Sequence, residues 1–415
     1  MRKHIAIIAG GDSSEHEVSL RSAAGIYSFL DKARYEVHIV RIRGKEWMVE
    51  VESPLLVQLP TSRDNTSDRT SFTAGGDACA PEQSMVRPGD RTSLTAGETP
   101  TSPVAASLVL VPIDKNDFSY TYQGEKRTFD YAYITIHGTP GENGRLQGYL
   151  DMMGIPYSCC GVLAAAMTFN KYACNHYLHS FGIRIAPSLL LRRSEALPSD
   201  EEIVAQVGLP CFIKSNVGGS SFGCTKVKTV AEVVPAIARA FEEGDEVICE
   251  AFMQGTEITC GVYKTREKAV AFPITEVVTK NEFFDYDAKY KGQVEEITPA
   301  RIPDNVRDAV QALTLRIYDI LGCHGIIRVD YILTDPPQPS PQGEGEMLPV
   351  EINLLEVNTT PGMTATSFIP QQVRAAGLDI GDVLSEIIED DPPLPSLQRE
   401  GEETTHPCPP YKGRE

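Results

Sequence analysis

Two short segments near the C-terminal end of the chain carry polar side chains at a spacing that a β-strand makes useful. In GIIRVDYIL (Gly325–Leu333), Arg328 and Asp330 stand two apart in an apolar run, and in LLEVNTTPGM (Leu354–Met363) Glu356 and Asn358 do the same. Successive side chains of a strand point to opposite faces, so each pair shares a face. Asp330, Glu356 and Asn358 together make a hard, all-oxygen donor set. Mg²⁺ prefers such a set, with substrate phosphates completing its octahedron. Neither segment contains a thiol or an imidazole, which argues against zinc or copper. A Pro361-Gly362 break follows the second segment.

Three further stretches could serve the same chemistry. KSNVGGSSFG (Lys214–Gly223) sets a lysine at the end of an apolar run, then Gly218-Gly219 and Ser220-Ser221. Glycines let backbone N–H groups approach a phosphate, serines add donors and the lysine adds charge. The lysine precedes the glycines, so this is not a G-x-x-x-x-G-K-[ST] loop; an exposed hairpin is the alternative. HGTPGENG (His137–Gly144) suits either a loop that binds a small substrate or a structural histidine. EFFDYDAKYKG (Glu282–Gly292) suits a lid over a site or a solvated loop.

The elements that must position these residues are legible in outline. IAIIAGG (Ile5–Gly11) reads as a buried parallel strand ending in a glycine turn. Ser14 and Glu17 have capping-box spacing ahead of an amphipathic run, and YEVHIVRI (Tyr35–Ile42) reads as a second strand, so the chain opens β-α-β. YAYITIHG, LPCFIKSN, DEVICEAFM, EITCGVY, AVAFPI, GIIRVDYIL and LLEVN read as later strands. LQGYLDMMGI, MTFNKYACNHYLHSFGI, PQQVRAAG and DIGDVLSEIIED read as helices. The pattern mixes α/β and α+β.

Between Ser53 and Ser107 periodicity disappears. DRTSFTAG (Asp68–Gly75) returns as DRTSLTAG (Asp90–Gly97), and PSPQGEGE (Pro339–Glu346) is echoed by PSLQREGE (Pro395–Glu402). Two copies do not make a solenoid. These stretches read as low-complexity insertions in surface loops and the tail, where extra length costs little.

The 415 residues are enough for two or three domains, and 41% hydrophobic with 23% charged residues is an ordinary globular composition. A net charge of −19 excludes a general binder of nucleic acid or anionic membrane, though clustered lysines can still hold phosphate. The ten cysteines contain no C-x-x-C pair and lie mostly in apolar runs, as buried free thiols do. The apolar run after the basic start is too short for a signal segment, and no run approaches ~18 apolar residues, so a cytoplasmic location is expected.

GGDSSEHEVSLRSA, HGTPGENGRLQGYLDMMGIPYS, KSNVGGSSFG, DYDAKY, RVDYIL and EVNTTPGMTATSFIP resemble, in order, the motifs of the D-alanine–D-alanine ligase family. The resemblance covers nearly all the chain outside Ser53–Ser107, Pro336–Pro349 and the tail after about Pro393. It implies a three-domain ATP-grasp ligase: an N-terminal α/β, Rossmann-like domain over 1–165, a central subdomain over 166–256, a C-terminal catalytic subdomain over 257–393 and a disordered tail over 394–415. It implies ATP and two Mg²⁺ or Mn²⁺ ions as cofactors, D-alanine as substrate, no nucleic acid or membrane partner, and a homodimer. Carried over by motif, Lys171 and Lys214 contact ATP phosphates, Glu250, Ala251, Phe252 and Met253 line the adenine pocket, and Glu257 holds the ribose. Ser221 and Phe283 complete the nucleotide contacts and Lys289 reaches the γ-phosphate. Asp330, Glu356 and Asn358 hold the metal ions. Glu15 binds the ammonium of the first D-alanine and is linked through Ser220 to Tyr290, with His137 nearby; Ser367 and Phe368 border the second amino acid. Arg328 and the N–H of Gly362 form the oxyanion site. Two positions depart from the family pattern: Asn170 stands where Asp is usual, and Ser215 where proline is common.

The implied activity is ADP-forming synthesis of D-alanyl-D-alanine through a D-alanyl phosphate, for peptidoglycan precursors. Phosphorylation converts a carboxylate, a poor electrophile, into an acyl phosphate with a good leaving group. The rivals are a D-alanine–D-lactate ligase, a silent ATP-binding module and an ATP-grasp ligase for another acid. Tyr290 on the lid favours an amine as second substrate.

Overall fold

The run KHIAIIAG forms β1 (Lys3–Gly10), with Ile5 to Ala9 wholly buried. The computed structural model describes residues 2–52, 108–218, 223–279, 294–336 and 348–390. Nearly all of these fall in one compact unit, Met1–Glu50 with Leu110–Glu415; of the other, Val51–Val109, only the strand ends at 51–52 and 108–109 are described. The repeat-bearing stretch, the lid segment, the tail and most of Pro336–Pro349 lie outside the described residues.

β1 is followed by α1 (His16–Phe29), β2 (Tyr35–Arg43), β3 (Glu46–Glu52), β4 (Leu108–Asp114), β5 (Ser119–Tyr122), β6 (Glu125–Arg127) and β7 (Tyr131–Ile134). They form a seven-stranded sheet in the order β6-β5-β4-β3-β2-β1-β7. β1 runs parallel to both neighbours, which is why its sequence is continuously apolar. At its end Gly10 and Gly11 take φ of 101° and 92°, and a Cβ on Gly10 would stand 2.5 Å from the Ile42 carbonyl oxygen. Only glycine fits that turn.

The capping box at Ser14 and Glu17 is not formed. α1 starts at His16, and the residue before it, Glu15, makes no capping bond with its side chain. Ser13 does the local work instead: its hydroxyl accepts from the Glu15 N–H at 3.3 Å and donates to the His137 carbonyl at 2.8 Å. The turn is spent on joining two loops, and this leaves Glu15 facing inward.

Next come α2 (Arg145–Met153), α3 (Val162–Phe169) and α4 (Lys171–His179). The single helix expected over MTFNKYACNHYLHSFGI is broken at Asn170, which is extended (φ −93°, ψ 99°) and caps α4 by accepting the Ala173 N–H at 2.9 Å. Asparagine favours such caps because its side chain competes with helical backbone bonds.

A second sheet contains β8 (Ser188–Arg192), β9 (Cys211–Ser215), β10 (Thr225–Val227) and β11 (Glu246–Ala251) in the order β10-β9-β11-β8, all antiparallel. Helices α5 (Asp200–Val207) and α6 (Val233–Ala240) share its core through Ile203, Val207, Ile237 and Ala240. The third sheet holds β12 (Gly255–Lys264), β13 (Ala269–Ala271), β14 (Thr275–Thr279), β15 (Val294–Ile297), β16 (Ile327–Thr334) and β17 (Glu351–Asn358). Its order is β15-β14-β12-β16-β17, with β13 on β12. Helix α7 (Asp304–Leu321) buries Val306, Val310 and Ile317 in the same core as Val329 and Tyr331. Helices α8 (Phe368–Ala375) and α9 (Ile380–Glu389) pack Ile369, Val373 and Leu384 into a cluster with Ile5, Ile7 and Ile26. The last helices are thereby tied to the first sheet.

Among the described residues every cysteine is free and no helix is long and apolar enough to cross a membrane. The residue that leads into β16, Gly325, has φ of 68°, and a Cβ there would stand 1.8 Å from the Ser158 carbonyl oxygen. Gly325→Ala should therefore lower stability by about 1–3 kcal/mol. A urea midpoint equal to that of the unsubstituted protein would refute this.

Candidate active site

The antiparallel register of β16 and β17 sets Arg328 opposite Asn358 and Asp330 opposite Glu356. The two pairs thus become one four-residue patch on a single face. Val329, Tyr331 and Val357, alternating with them, enter the core behind the sheet. The register shifts between Asp330 and Tyr331, leaving Leu355 without a partner on β16. Such a bulge re-aims the residues beside it.

Within the patch Arg328 grips Asp330 with a two-pronged pair, Nε to Oδ1 and Nη2 to Oδ2, each at 2.8 Å. Asn358 Nδ2 adds a third bond to Asp330 Oδ2 at 3.0 Å. Arg328 and Asp330 are 9% and 6% exposed. Burial works against the guanidinium charge, but Asp330 beside it outweighs burial and holds Arg328 above its ordinary pKa. The ring of Phe368 lies 5.2 Å from the Arg328 carbon, a cation–π distance.

A second buried pair stands on the neighbouring sheet. Lys214, at the end of β9, meets Glu250 of β11 at 2.5 Å, with both side chains largely buried. Burial pushes Lys214 down, and Glu250 more than reverses this, so the ammonium is held above its usual range. Lys171, the first residue of α4, donates from Nζ to the Gly218 carbonyl at 2.6 Å and from its backbone to the Asn216 carbonyl at 3.1 Å.

These groups line two adjoining cavities. The larger, about 750 Å³, has Lys171, Lys214 and Asp330 at its polar side and Phe212, Phe252 and Ile332 among its apolar lining. That size and mixture suit a nucleotide-sized ligand. The smaller, about 400 Å³, is lined by His137, Glu142, Asn358, Gly362 and Ser367. Glu15, Lys171, Arg328, Glu356 and Phe368 line both, so the two share a wall.

A family model described as "D-ala D-ala ligase N-terminus" matches residues 4–160, and one described as "D-ala D-ala ligase C-terminus" matches residues 177–389. The chain is 57% identical over 389 residues to a D-alanine–D-alanine ligase of Bacteroides fragilis, covering 94% of this chain and 99% of that one. It is 55% identical to one from Phocaeicola vulgatus with the same coverage. The chain belongs to the D-alanine–D-alanine ligase family. Among solved structures it resembles a D-Ala:D-Ser ligase from Enterococcus faecalis, 27% identical with a TM-score of 0.68, over 94% of this chain and 99% of that one. A D-alanyl-alanine synthetase from Vibrio cholerae shares the fold at a TM-score of 0.69 and 24% identity, over 94% of this chain and 98% of that one. The fold is the ATP-grasp fold of these ligases.

Sixteen of the twenty-one positions picked from the motifs are described, and all of them line one or both cavities. Lys214, Glu250, Ala251, Phe252, Met253, Glu257 and Asp330 line the larger, and His137, Asn358, Gly362 and Ser367 the smaller. Ser220, Ser221, Phe283, Lys289 and Tyr290 lie outside the described residues. Three charged residues of the ligase's smaller cavity lie outside the positions named from the motifs: Arg21, Glu142 and Glu296. Arg21 lies six residues after Glu15 on α1, with Val18 between them also lining the cavity, a helical spacing that could have found it. Glu142 sits inside the glycine loop HGTPGENG, five residues after His137.

The Lys214–Glu250 pair makes a clean prediction. Removing one partner of a buried pair leaves the other charge uncompensated. Glu250→Ala should cost about 3–5 kcal/mol by guanidinium denaturation, and the double change Lys214→Met with Glu250→Leu should recover most of that. A single variant with an unchanged midpoint would show that Lys214 is solvated rather than paired.

Proposed function

We propose that this chain joins two D-alanines to D-alanyl-D-alanine at the expense of ATP, and that the shared wall of the two cavities is where the reaction occurs. The single observation that supports this best is the patch Arg328, Asp330, Glu356 and Asn358, lying between a nucleotide-sized cavity and a smaller one. ATP binds in the larger cavity. Phe252 and Met253 border its adenine, Glu257 its ribose, and Lys171 and Lys214 face its phosphates.

Asp330, Glu356 and Asn358 fit a hard divalent ion. They offer only oxygen and carboxamide ligands, and among the described residues no three His, Cys, Asp or Glu side chains converge into a closed metal site. The protein thus supplies only part of a shell that phosphate oxygens complete. When bound, Mg²⁺ or Mn²⁺ at these residues neutralises charge on the transferred phosphoryl group. Asp330 keeps ligand capacity although Arg328 grips it, because a carboxylate offers about four lone-pair sites.

Glu15 and His137 hold the first D-alanine with its carboxylate toward the shared wall. The carboxylate attacks the γ-phosphorus, ADP leaves and a D-alanyl phosphate forms. The amine of the second D-alanine, bordered by Ser367 and Phe368, then attacks the acyl carbon. The tetrahedral oxyanion is met by Arg328 and the Gly362 N–H, and each such donor is worth roughly 3–4 kcal/mol. The product is a dipeptide for peptidoglycan precursors. The parts up to about residue 165, from 166 to 256 and from 257 to 393 act as three lobes around this wall, and the working form is a homodimer, which sedimentation at working concentration would test.

The purified protein with Mg²⁺ and ATP should release phosphate on addition of D-alanine and far less with L-alanine, D-lactate, D-serine or bicarbonate. Indifference to D-alanine would overturn the reading. Glu356→Gln preserves shape and removes one charge. It should lower D-alanine-dependent phosphate release by several kcal/mol, on the order of 10²–10³-fold, with little change in melting temperature.

A further inference from the structure

An amino acid reaches the enzyme as an ammonium ion, which has no lone pair for attack. One proton must leave before the second D-alanine can become a nucleophile, and none of the residues given a role above accepts it. We propose that Glu142 is the catalytic base that takes this proton; the assignment rests on the ligase reading of the same site.

The placement of Glu142 carries the inference. It belongs to the loop after β7 and lines the smaller cavity, together with Arg328, Glu356 and Gly362. Its carboxylate is pinned at both ends. Oε2 accepts the Gly138 N–H at 2.7 Å, and Oε1 accepts the Thr360 hydroxyl at 2.6 Å. The first bond fixes the carboxylate within the glycine loop, and the second clasps that loop to the turn beyond β17 that carries Gly362. Each carboxylate oxygen has a second lone pair, so the clasp leaves room for a proton.

The electrostatic setting suits the task. Charged or titratable groups reach this cavity from every side: Glu15 from the turn before α1, Arg21 from α1, His137 from the same loop, Lys171 from α4, Glu296 from β15, Arg328 from β16 and Glu356 from β17. Burial pushes the Glu142 carboxyl up and the charge of Glu15 adds to this. The bonds from Thr360 and Gly138 and the charge of Lys171 pull it back, and the balance is about 7. A base is most effective when its pKa lies near the working pH.

The step balances. The ammonium gives one proton to the Glu142 carboxylate, and the freed lone pair forms the N–C bond as the carbonyl π bond opens to the oxyanion. The oxyanion re-forms the carbonyl, the C–O bond to phosphate breaks, and phosphate leaves with that electron pair. The nitrogen's surplus proton goes to the departing phosphate, and protonated Glu142 returns its proton to solvent once product has left.

Glu142→Gln separates this role from a structural one. A carboxamide can accept the Gly138 N–H and donate to the Thr360 hydroxyl, so the clasp survives while the proton acceptor is lost. With D-alanine as second substrate, kcat/KM should fall about 10²-fold, and the acid limb near pH 7 should vanish from its pH profile. Hydroxylamine, a neutral amine at pH 7, should rescue turnover as D-alanyl hydroxamate. Unsubstituted rates with the acid limb intact would overturn the proposal. So would a parallel loss of hydroxamate, which would mean a misplaced loop, or loss of the limb in His137→Gln instead. If the unsubstituted protein shows no D-alanine-dependent phosphate release, it is the ligase reading that fails.

Discussion

Burying a guanidinium costs several kcal/mol unless a carboxylate meets it in good geometry. Arg328 satisfies that condition with two 2.8 Å bonds to Asp330, and much of the site's local structure can be traced to it. A two-pronged grip needs both residues on one face of one strand, which the alternation of β16 supplies. The strand in turn needs an apolar opposite face, which Val329 and Tyr331 supply against α7. Phe368 at the start of α8 covers the guanidinium, and α8 is held by packing against the first sheet. A pair of ions in the third sheet is thus connected through one aromatic ring to the core of the N-terminal sheet.

The same pair explains why two cavities can share one wall without merging their chemistry. Arg328 lines both, so one positive group faces the two cavities together. Asp330 lines only the larger cavity and Asn358 only the smaller. The patch therefore sorts its charges by position along the strands, and a negative charge placed on either side meets the Arg328 guanidinium already in place. A preorganised arrangement of this kind needs no reorientation when the charge appears.

Strands β1, β16 and β17 were legible because apolar continuity or two-residue alternation is a strong signal over eight residues. The polar positions of β16 and β17 were legible for the same reason, since a charge inside such a run must face something. Their mutual register was not, because nothing local states which residue of one strand faces which of the other, and a bulge at Leu355 shifts the answer. The capping spacing at Ser14 misled because Ser13 bonds across the fold to the His137 carbonyl, a contact 124 residues away in sequence. The break at Asn170 was hidden inside a run of helix-compatible residues. Helix α7, eighteen residues long, carries no functional motif, and only its buried stripe of Val306, Val310, Thr314, Ile317 and Leu321 marks it. Glu142 could not be singled out from its own loop, since its partner Thr360 is 218 residues away.

Asn170, where the resemblance leads one to expect Asp, shows how a carboxamide can be accommodated by its surroundings. Its oxygen accepts from the Ala173 N–H and from Asn216 Nδ2 at 2.9 Å, and its nitrogen donates to Glu246 Oε2 at 3.3 Å. Glu246 also accepts from Asn216 Nδ2 at 2.7 Å and from Arg192 Nε at 2.9 Å. A carboxylate at 170 could cap α4 equally well, but it would face Glu246 with like charge and nothing to donate. The carboxamide both caps and donates. It thereby ties the start of the helix that carries Lys171 to Asn216, at the base of the glycine loop, both directly and through the shared Glu246 carboxylate. The substitution leaves the Lys171 charge untouched and changes only the chemistry of the knot that holds it beside the loop.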